Sequence, residues 1–462
     1  MSTRTVRVVI GKNFGDEGKG LAVDYFCSRA PRTLVVKHNG GAQAGHTVEQ
    51  GGRRFVFHQL SAGSFRRSDT LWAHTYYPDL YKLREEEEEF YEVSGFQPVV
   101  WSEPDTPVTL IDDVLVNMLL ETRRGAARHG SCGMGIYEAY LRTRAGFDLT
   151  VGDFLSENAA SLTARILQIR REYTWKRIAE AVAAEGDGRP EACGTAEKVR
   201  RQGMSGALEE ISGQGLPGTE YLEMLRSRQV VEAYAEEMAR NAAAFVKVSE
   251  DTGALLRSRE SIVFESGQGL LLDEGNTRFA PHISASRTGL ANPVEILAEH
   301  GLAPTEAVYV TRTYVTRHGA GLLPYECTRE ALGIAAEDAT NVENPWQGRI
   351  RYATHGTTEE FLAPVREDAK WLTAAGGSMQ EEPQQRTANA VQNTTEPTRN
   401  CAKLSLFLTH VDETNHTVLT VDGPVGVDEF CGDAAVRDVF SDAYLACGRE
   451  AELVESRSLD GN

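Results

Sequence analysis

The stretch Val8-Val9-Ile10-Gly11-Lys12-Asn13-Phe14-Gly15-Asp16-Glu17-Gly18-Lys19-Gly20 runs from an apolar strand into a glycine-rich turn that carries acid and lysine side chains. A helical pattern follows at Leu21, Val23, Asp24, Tyr25 and Phe26. Such a loop offers backbone N–H groups and a helix N-terminus to a phosphate, and Lys19 adds a point charge. Its spacing departs from the standard phosphate loop. Six residues separate Gly11 from Gly18, and Gly20 stands where a Ser or Thr would reach Mg²⁺. A metal here needs another hard oxygen ligand, and Asp16 supplies one. The stretch predicts a P-loop-like nucleotide-binding fold.

Directly after the strand Thr33–Val36 comes Lys37-His38-Asn39-Gly40-Gly41-Ala42-Gln43-Ala44-Gly45-His46-Thr47. Its glycines let the backbone approach a ligand closely. Gln43 and His46 then lie beyond the C-terminal end of a strand, where open α/β sheets bind ligands.

Further strand-like runs, at Val6–Ile10, Arg54–His58, Pro98–Ser102, Ser261–Glu265, Ala307–Thr316 and Leu404–Thr409, alternate with helical patterns. This alternation predicts an α/β fold with a large, mostly parallel central sheet flanked by helices. The organisation expected is one domain over residues 1–462, with a helical insertion at about 151–247 and a mobile Gly/Gln/Asn/Thr/Pro-rich loop at about 374–400. The acidic run Glu85–Glu89 reads as a solvated helix face.

Composition narrows the function classes. With 462 residues, 41% of them hydrophobic, the chain can bury a large core. A formal charge of −19 argues against nucleic acid as a partner, while an anionic small molecule can still bind where the local field is favourable. No apolar leader or long apolar run stands out, so a cytoplasmic protein without a membrane partner is expected. Seven scattered cysteines without a CxxC pair fit reduced thiols rather than a disulfide framework or a zinc site.

The two loops together resemble the adenylosuccinate synthetase family, which opens with a Gly-Asp-Glu-Gly-Lys-Gly loop followed by Gly-Gly-x-x-Ala-Gly-His-Thr. Three later segments extend the likeness. His129 followed by Gly130-Ser131-Cys132-Gly133-Met134-Gly135-Ile136-Tyr137 is similar to the family's Gly-Thr-Thr-Gly-Arg-Gly-Ile-Gly. Phe264-Glu-Ser-Gly-Gln268-Gly-Leu-Leu-Leu-Asp273 is similar to Phe-Glu-Gly-Ala-Gln-Gly-x-Leu-Leu-Asp. Thr313-Tyr-Val-Thr-Arg317-His-Gly-Ala-Gly321-Leu-Leu-Pro324-Tyr-Glu326 is similar to Tyr-x-Thr-Arg-Val-Gly-Ala-Gly-Pro-Phe-Pro-Thr-Glu.

The resemblance implies a ligase that phosphorylates the 6-oxygen of a purine nucleotide and lets the amine of aspartate displace that phosphate. It assigns Asp16 as the base that removes the N1 proton and as a ligand of Mg²⁺, with Gly45 as a second metal ligand. His46 would stabilise the transferring phosphoryl group. Gly15, Glu17, Gly18, Lys19 and Gly20 would hold the donor's phosphates. Gln43, which replaces an Asn, Gln268 and Ser284 would contact the substrate nucleotide. Cys132 stands where a threonine holds the 5′-phosphate, with Ser131 as its substitute. Arg142 and Arg144 bracket the place of an arginine borrowed from the other subunit of a homodimer. Arg349 and Arg351 keep a Gly-Arg-x-Arg spacing suited to carboxylates and phosphates, whereas the family's threonine pair gives way to Asn344-Pro345-Trp346-Gln347. In Thr409-His410-Val411-Asp412 the acid that reads guanine is kept, and the family's lysine is replaced by His410.

The expected reaction is therefore GTP- and Mg²⁺-dependent joining of aspartate to IMP. Two alternatives stay open. One is a paralogue acting on another 6-oxopurine nucleotide such as dGMP, with ATP as a possible donor; family members devoted to dGMP tend to carry serine in place of the loop acid, and Asp16 is retained here. The other is a nucleotide-binding regulatory protein without catalysis, against which Asp16, Lys19, His46 and Gln268 all argue.

Overall fold

The structure, a computed structural model, describes residues 4–125, 131–185, 217–335, 348–374 and 402–460. Ten strands form the main sheet: β1 (Thr5–Gly11), β2 (Leu34–Lys37), β3 (Asp69–Trp72), β4 (Val100–Ser102), β5 (Val246–Val248), β6 (Ser261–Gly269), β7 (Glu306–Arg312), β8 (Lys403–Thr409), β9 (Asp442–Ala446) and β10 (Val454–Ser458). Their spatial order is β10-β9-β8-β7-β1-β6-β2-β3-β4-β5. Every pairing is parallel except that of the edge strand β10 with β9. Parallel strands need crossovers that cover both faces, and alternate side chains accordingly enter two separate cores. Val9, Val35, Val263 and Val308 pack on one side. Val8, Val36, Phe264 and Tyr309 pack on the other.

Several expectations shift in detail. Arg54–His58 does not join the main sheet. Its residues lie in the strand Arg53–Phe57, which pairs antiparallel with His46–Gln50. The turn between them, Gly51-Gly52, has φ of 55° and 78°, the double positive φ that a tight hairpin demands. The run Ala307–Thr316 is split: β7 ends at Arg312, and Val315–Arg317 joins a small separate sheet. Helix α1 spans Lys19–Arg29 and α2 spans Leu80–Ser94. The acidic run on α2 is not wholly solvated, since Glu86 and Glu87 are buried. Glu86 accepts backbone N–H bonds from His58, Gln59 and Leu60 at 2.7, 2.8 and 3.2 Å, because that loop has no strand partner to satisfy it. Two further helices, α3 (Ile111–Arg124) and α4 (Ile136–Arg144), follow β4. Between them and β5 the described residues are helical at Val151–Ser156, Ala159–Ile169, Trp175–Glu185, Thr219–Arg226 and Arg228–Phe245. Among the described residues no helix is long and apolar enough to cross a membrane. Of the loop expected to be mobile at about 374–400, Ala374 ends the helix Thr358–Ala374, and 375–400 lie outside the described residues.

Candidate active site

The five central strands β8-β7-β1-β6-β2 send their C-terminal ends to one place, and their loops line a cavity of about 510 Å³. The loop 14–20 arrives from β1, 43–47 from β2, Gly267 and Gln268 from β6, Arg312, Tyr314 and His318 from β7, and 409–413 from β8. Helix α1 points its N-terminus at this cavity, and no side chain caps it. Its first N–H groups are thus available to an anion. Gly20 makes the arrangement possible. A Cβ there would sit 2.8 Å from the Thr47 carbonyl oxygen, so only glycine lets the first loop press against the second.

Within the first loop the two acids have different tasks. Glu17 folds inward: its carboxylate accepts the N–H bonds of Asn13 and Gly15 at 2.8 and 2.9 Å and pairs with Lys19 Nζ at 3.1 Å. It therefore shapes the loop rather than facing a phosphate with its side chain. Thr409 Oγ1 donates to the Glu17 carbonyl at 2.7 Å and ties the loop to β8. Asp16 faces the cavity instead, in the left-handed region at φ 57°, with Arg312 Nε donating to its carbonyl at 2.6 Å. The Asp16 side chain is 25% exposed, and its closest ion-pair partner is His318 Nε2 at 3.8 Å. Burial raises the Asp16 carboxyl above the ordinary range, against the pull of His318, Arg312 and Lys19. A raised carboxylate is better matched to accepting a proton near neutrality.

His46 comes from the second loop with its Nδ1 against the buried carboxylate of Glu265. Burial lowers the ring to about 4, so it is neutral at rest, and Glu265 holds its Nδ1 proton and turns Nε2 outward. Glu265 itself lies at about 2: burial opposes its charge, but Lys37 and His46 outweigh that effect, and the Ala62 N–H adds a bond at 3.1 Å. Five cavity-lining side chains present a buried polar atom that has no hydrogen-bond partner among the described residues: Gln43 Oε1, His46 Nε2, Thr47 Oγ1, Gln268 Nε2 and His318 Nδ1. Orphaned buried polar atoms are costly, and a cluster of them around one cavity marks the surface that a polar ligand satisfies. The other end of Gln268 is fixed, its Oε1 accepting from Asn39 Nδ2 at 2.9 Å and from Ser286 Oγ at 3.4 Å.

The expected residues divide accordingly. Gly15, Asp16, Glu17, Gly18, Lys19, Gly20, Gln43, Gly45, His46, Cys132, Gln268, His410 and Asp412 all line the cavity. Burial pushes the Cys132 thiol up to about 11, which leaves it a neutral, weak donor. Ser284 stands one step back, its Oγ 3.1 Å from Ser286 Oγ. Ser131 does not turn to the cavity; its hydroxyl exchanges hydrogen bonds with the Asn117 amide on α3 at 2.9 and 3.2 Å. Arg142 is not a surface arginine at all. It is fully buried, bonded to Asp113 at 2.9 Å and to the carbonyls of Phe147 and Val108 at 2.7 Å each. Arg144, on the same helix, is exposed and stacks on Tyr140. Arg351 holds Glu326 at 2.8 Å and the carbonyls of Gly319 and Gly321 at 3.1 and 2.8 Å, so it braces a loop and does not reach the cavity. Arg349 is exposed and outside the cavity lining. The substituted segment Asn344–Gln347 lies outside the described residues.

Asp16 and Gly45 border the same cavity, and a carboxylate with a backbone carbonyl is a donor set suited to a hard cation. Among the described residues no group of three or more His, Cys, Asp or Glu side chains could hold a metal alone. A divalent cation here would complete its shell with phosphate oxygens and water. Glu265, Arg312 and His318 are site residues that sequence reading missed. Arg312 ends β7 and His318 follows the short strand Val315–Arg317, a position that could have flagged them, whereas Glu265 sits in the middle of β6 and carries no such signal.

Residues 8–202 and 207–351 match the family model described as adenylosuccinate synthetase. The adenylosuccinate synthetase of Teredinibacter turnerae is 26% identical over 340 residues, which are 72% of this chain and 68% of that protein. Two solved structures share the fold. The fully ligated adenylosuccinate synthetase of Plasmodium falciparum aligns with a TM-score of 0.59 at 12% identity, over 98% of this chain and 100% of the other. The succinoaminodeoxyadenylate synthetase of cyanophage S-2L, bound to dGMP and to dATP as an energy donor, aligns with a TM-score of 0.53 at 16% identity, over 98% and 95%.

Proposed function

Because this chain belongs to the adenylosuccinate synthetase family and is a carbon–nitrogen ligase, we propose that it joins the amine of L-aspartate to the 6-position of IMP, with GTP as phosphate donor. The observation that carries this reading is the convergence of Asp16, Lys19, His46 and Gln268 on one cavity whose orphaned polar atoms await a ligand. Asp16 takes the N1 proton of the purine, and the freed electron pair makes O6 a nucleophile toward the γ-phosphorus. GDP leaves as the O6–P bond forms. The amine of aspartate then adds at C6, and O6 departs with the phosphate. Lys19 and the N-terminus of α1 offset charge on the donor's phosphates. As the anionic phosphoryl group arrives, His46 takes up a proton on Nε2, the Glu265 carboxylate at Nδ1 supports the imidazolium, and Nε2–H donates to a phosphoryl oxygen. The Asp16 carboxylate and the Gly45 carbonyl would hold Mg²⁺, which supplies further neutralisation of phosphate charge.

Retention of Asp412 at the cavity favours guanine in the donor, since its carboxylate would accept from guanine amines and be left unpaired by adenine. Oxygen-18 placed on the 6-oxygen of IMP should emerge in inorganic phosphate when the protein is incubated with aspartate, GTP and Mg²⁺. Label retained in the nucleotide product would overturn the reading. A second reading, dGMP as the nucleotide, is supported by the altered pocket residues Gln43 and Cys132; the same incubation with dGMP in place of IMP separates the two.

A further inference from the structure

His318 is an unexpected side chain for its position. It follows Arg317 in a segment whose family pattern reads Thr-Arg-Val-Gly-Ala-Gly, so an imidazole replaces an aliphatic group on the cavity wall. The loop that carries it is rigidly built. Arg317 donates to the carbonyls of Leu322 and His282 at 2.6 and 2.7 Å, and Arg351 donates to those of Gly319 and Gly321. The backbone that carries the ring is therefore fixed before any ligand arrives. Its Nε2 is 3.8 Å from Asp16 Oδ2. At that distance the ring and the carboxylate form no direct hydrogen bond, and the far ring nitrogen, Nδ1, is left to a ligand. That Nδ1 is buried and has no partner among the described residues.

We propose that His318 is a specificity-determining residue of the nucleotide site, its Nδ1 accepting a hydrogen bond from an amine or hydroxyl that some 6-oxopurine nucleotides carry and others lack. The inference rests on the nucleotide reading above. Two groups fit that chemistry, the exocyclic 2-amino group of a guanine and the ribose 2′-hydroxyl. An aliphatic side chain at this position discriminates for neither, whereas a fixed acceptor favours the nucleotide that fills it, because its absence leaves a buried polar atom unpaired.

The test uses four nucleotides, IMP, dIMP, GMP and dGMP, with calorimetric dissociation constants and turnover measured for the wild type, His318→Val and His318→Asn. Asparagine keeps an acceptor near the place of Nδ1. The wild type should prefer one pair about five- to tenfold. A preference for GMP and dGMP identifies the amine, and one for IMP and GMP identifies the hydroxyl. His318→Val should erase the preference, and His318→Asn should keep most of it, with unchanged thermal midpoints showing that both fold. A uniform change across all four nucleotides in His318→Val would mean that the ring serves Asp16 alone, and the proposal would be overturned. Absence of binding of any of the four to the wild type would instead overturn the nucleotide reading itself.

Discussion

Asp16 combines a left-handed backbone, a carboxyl raised by burial and a carbonyl pinned by Arg312, a set of strains that folding alone would not select. Asp16→Asn removes the base while keeping the shape and the tolerance for positive φ. Turnover should fall by at least about 10²–10⁴-fold with the melting temperature unchanged. His46→Asn should lower kcat far more than it raises KM, since Nε2 meets charge that develops in the transition state. Turnover within a few-fold of wild type in either variant would remove the assignment. Glu87 is a buried acid outside the chemistry: neither oxygen has a partner among the described residues, and burial beside Glu86 lifts it to about 8. The folded chain therefore holds this proton more tightly than the unfolded chain, whose ordinary value is 4.5. Stability falls as pH rises between those values, and the penalty is complete above them. Glu87→Gln should gain on the order of 1–4 kcal/mol over wild type at pH 8.5 and little at pH 5 in denaturant titrations. Equal differences at both pH values would contradict this. The chemistry of Asp16, Lys19 and His46 was legible because each lies within a short glycine-rich motif. Glu265 and His318 were not, since their partners are far away in sequence and only the sheet order brings them together.

Helix α4 shows how local pattern misleads about an arginine. Arg142 and Arg144 look alike as polar positions near a helix end, yet one turns inward to Asp113 on α3 and the other outward. Arg142→Leu would leave the Asp113 carboxylate buried without its partner, a loss on the order of 3–5 kcal/mol. Arg144→Ala should stay within about 0.5 kcal/mol of wild type. Thermal unfolding of the two variants checks the contrast, and a small effect at Arg142 would undo the account of that pair. Central strands were legible as continuous apolar runs because both faces of a parallel sheet are covered. The strands β3, β5, β9 and β10 escaped notice, since Asp69–Trp72, Val246–Val248, Asp442–Ala446 and Val454–Ser458 are each interrupted or bounded by charged residues and offer no continuous apolar run like those of the central strands. The hairpin strand at Arg53–Phe57 had the composition of a sheet member, and only its glycine turn distinguishes it.

At the scale of the whole molecule, an anionic nucleotide must bind a chain of net charge −19, so local cations carry the attraction. Lys19 is already paired with Glu17, and Arg142 is locked in the interior. Arg312 and Arg449 line the cavity, and outside it lies the exposed Arg144, resting on Tyr140. If it acts in trans across a homodimer, an Asp16→Asn chain and an Arg144→Ala chain are each defective alone but complementary together. A mixed dimer then has one site in which both residues are intact. At equal mixing about half of the dimers are hybrids with one working site each, giving about a quarter of wild-type activity. The mixture is assayed after subunit exchange, with light scattering to follow the dimer. Activity no greater than the sum of the two parents would show that Arg144 serves its own chain or none, and a fully active monomer would rule out a shared site altogether.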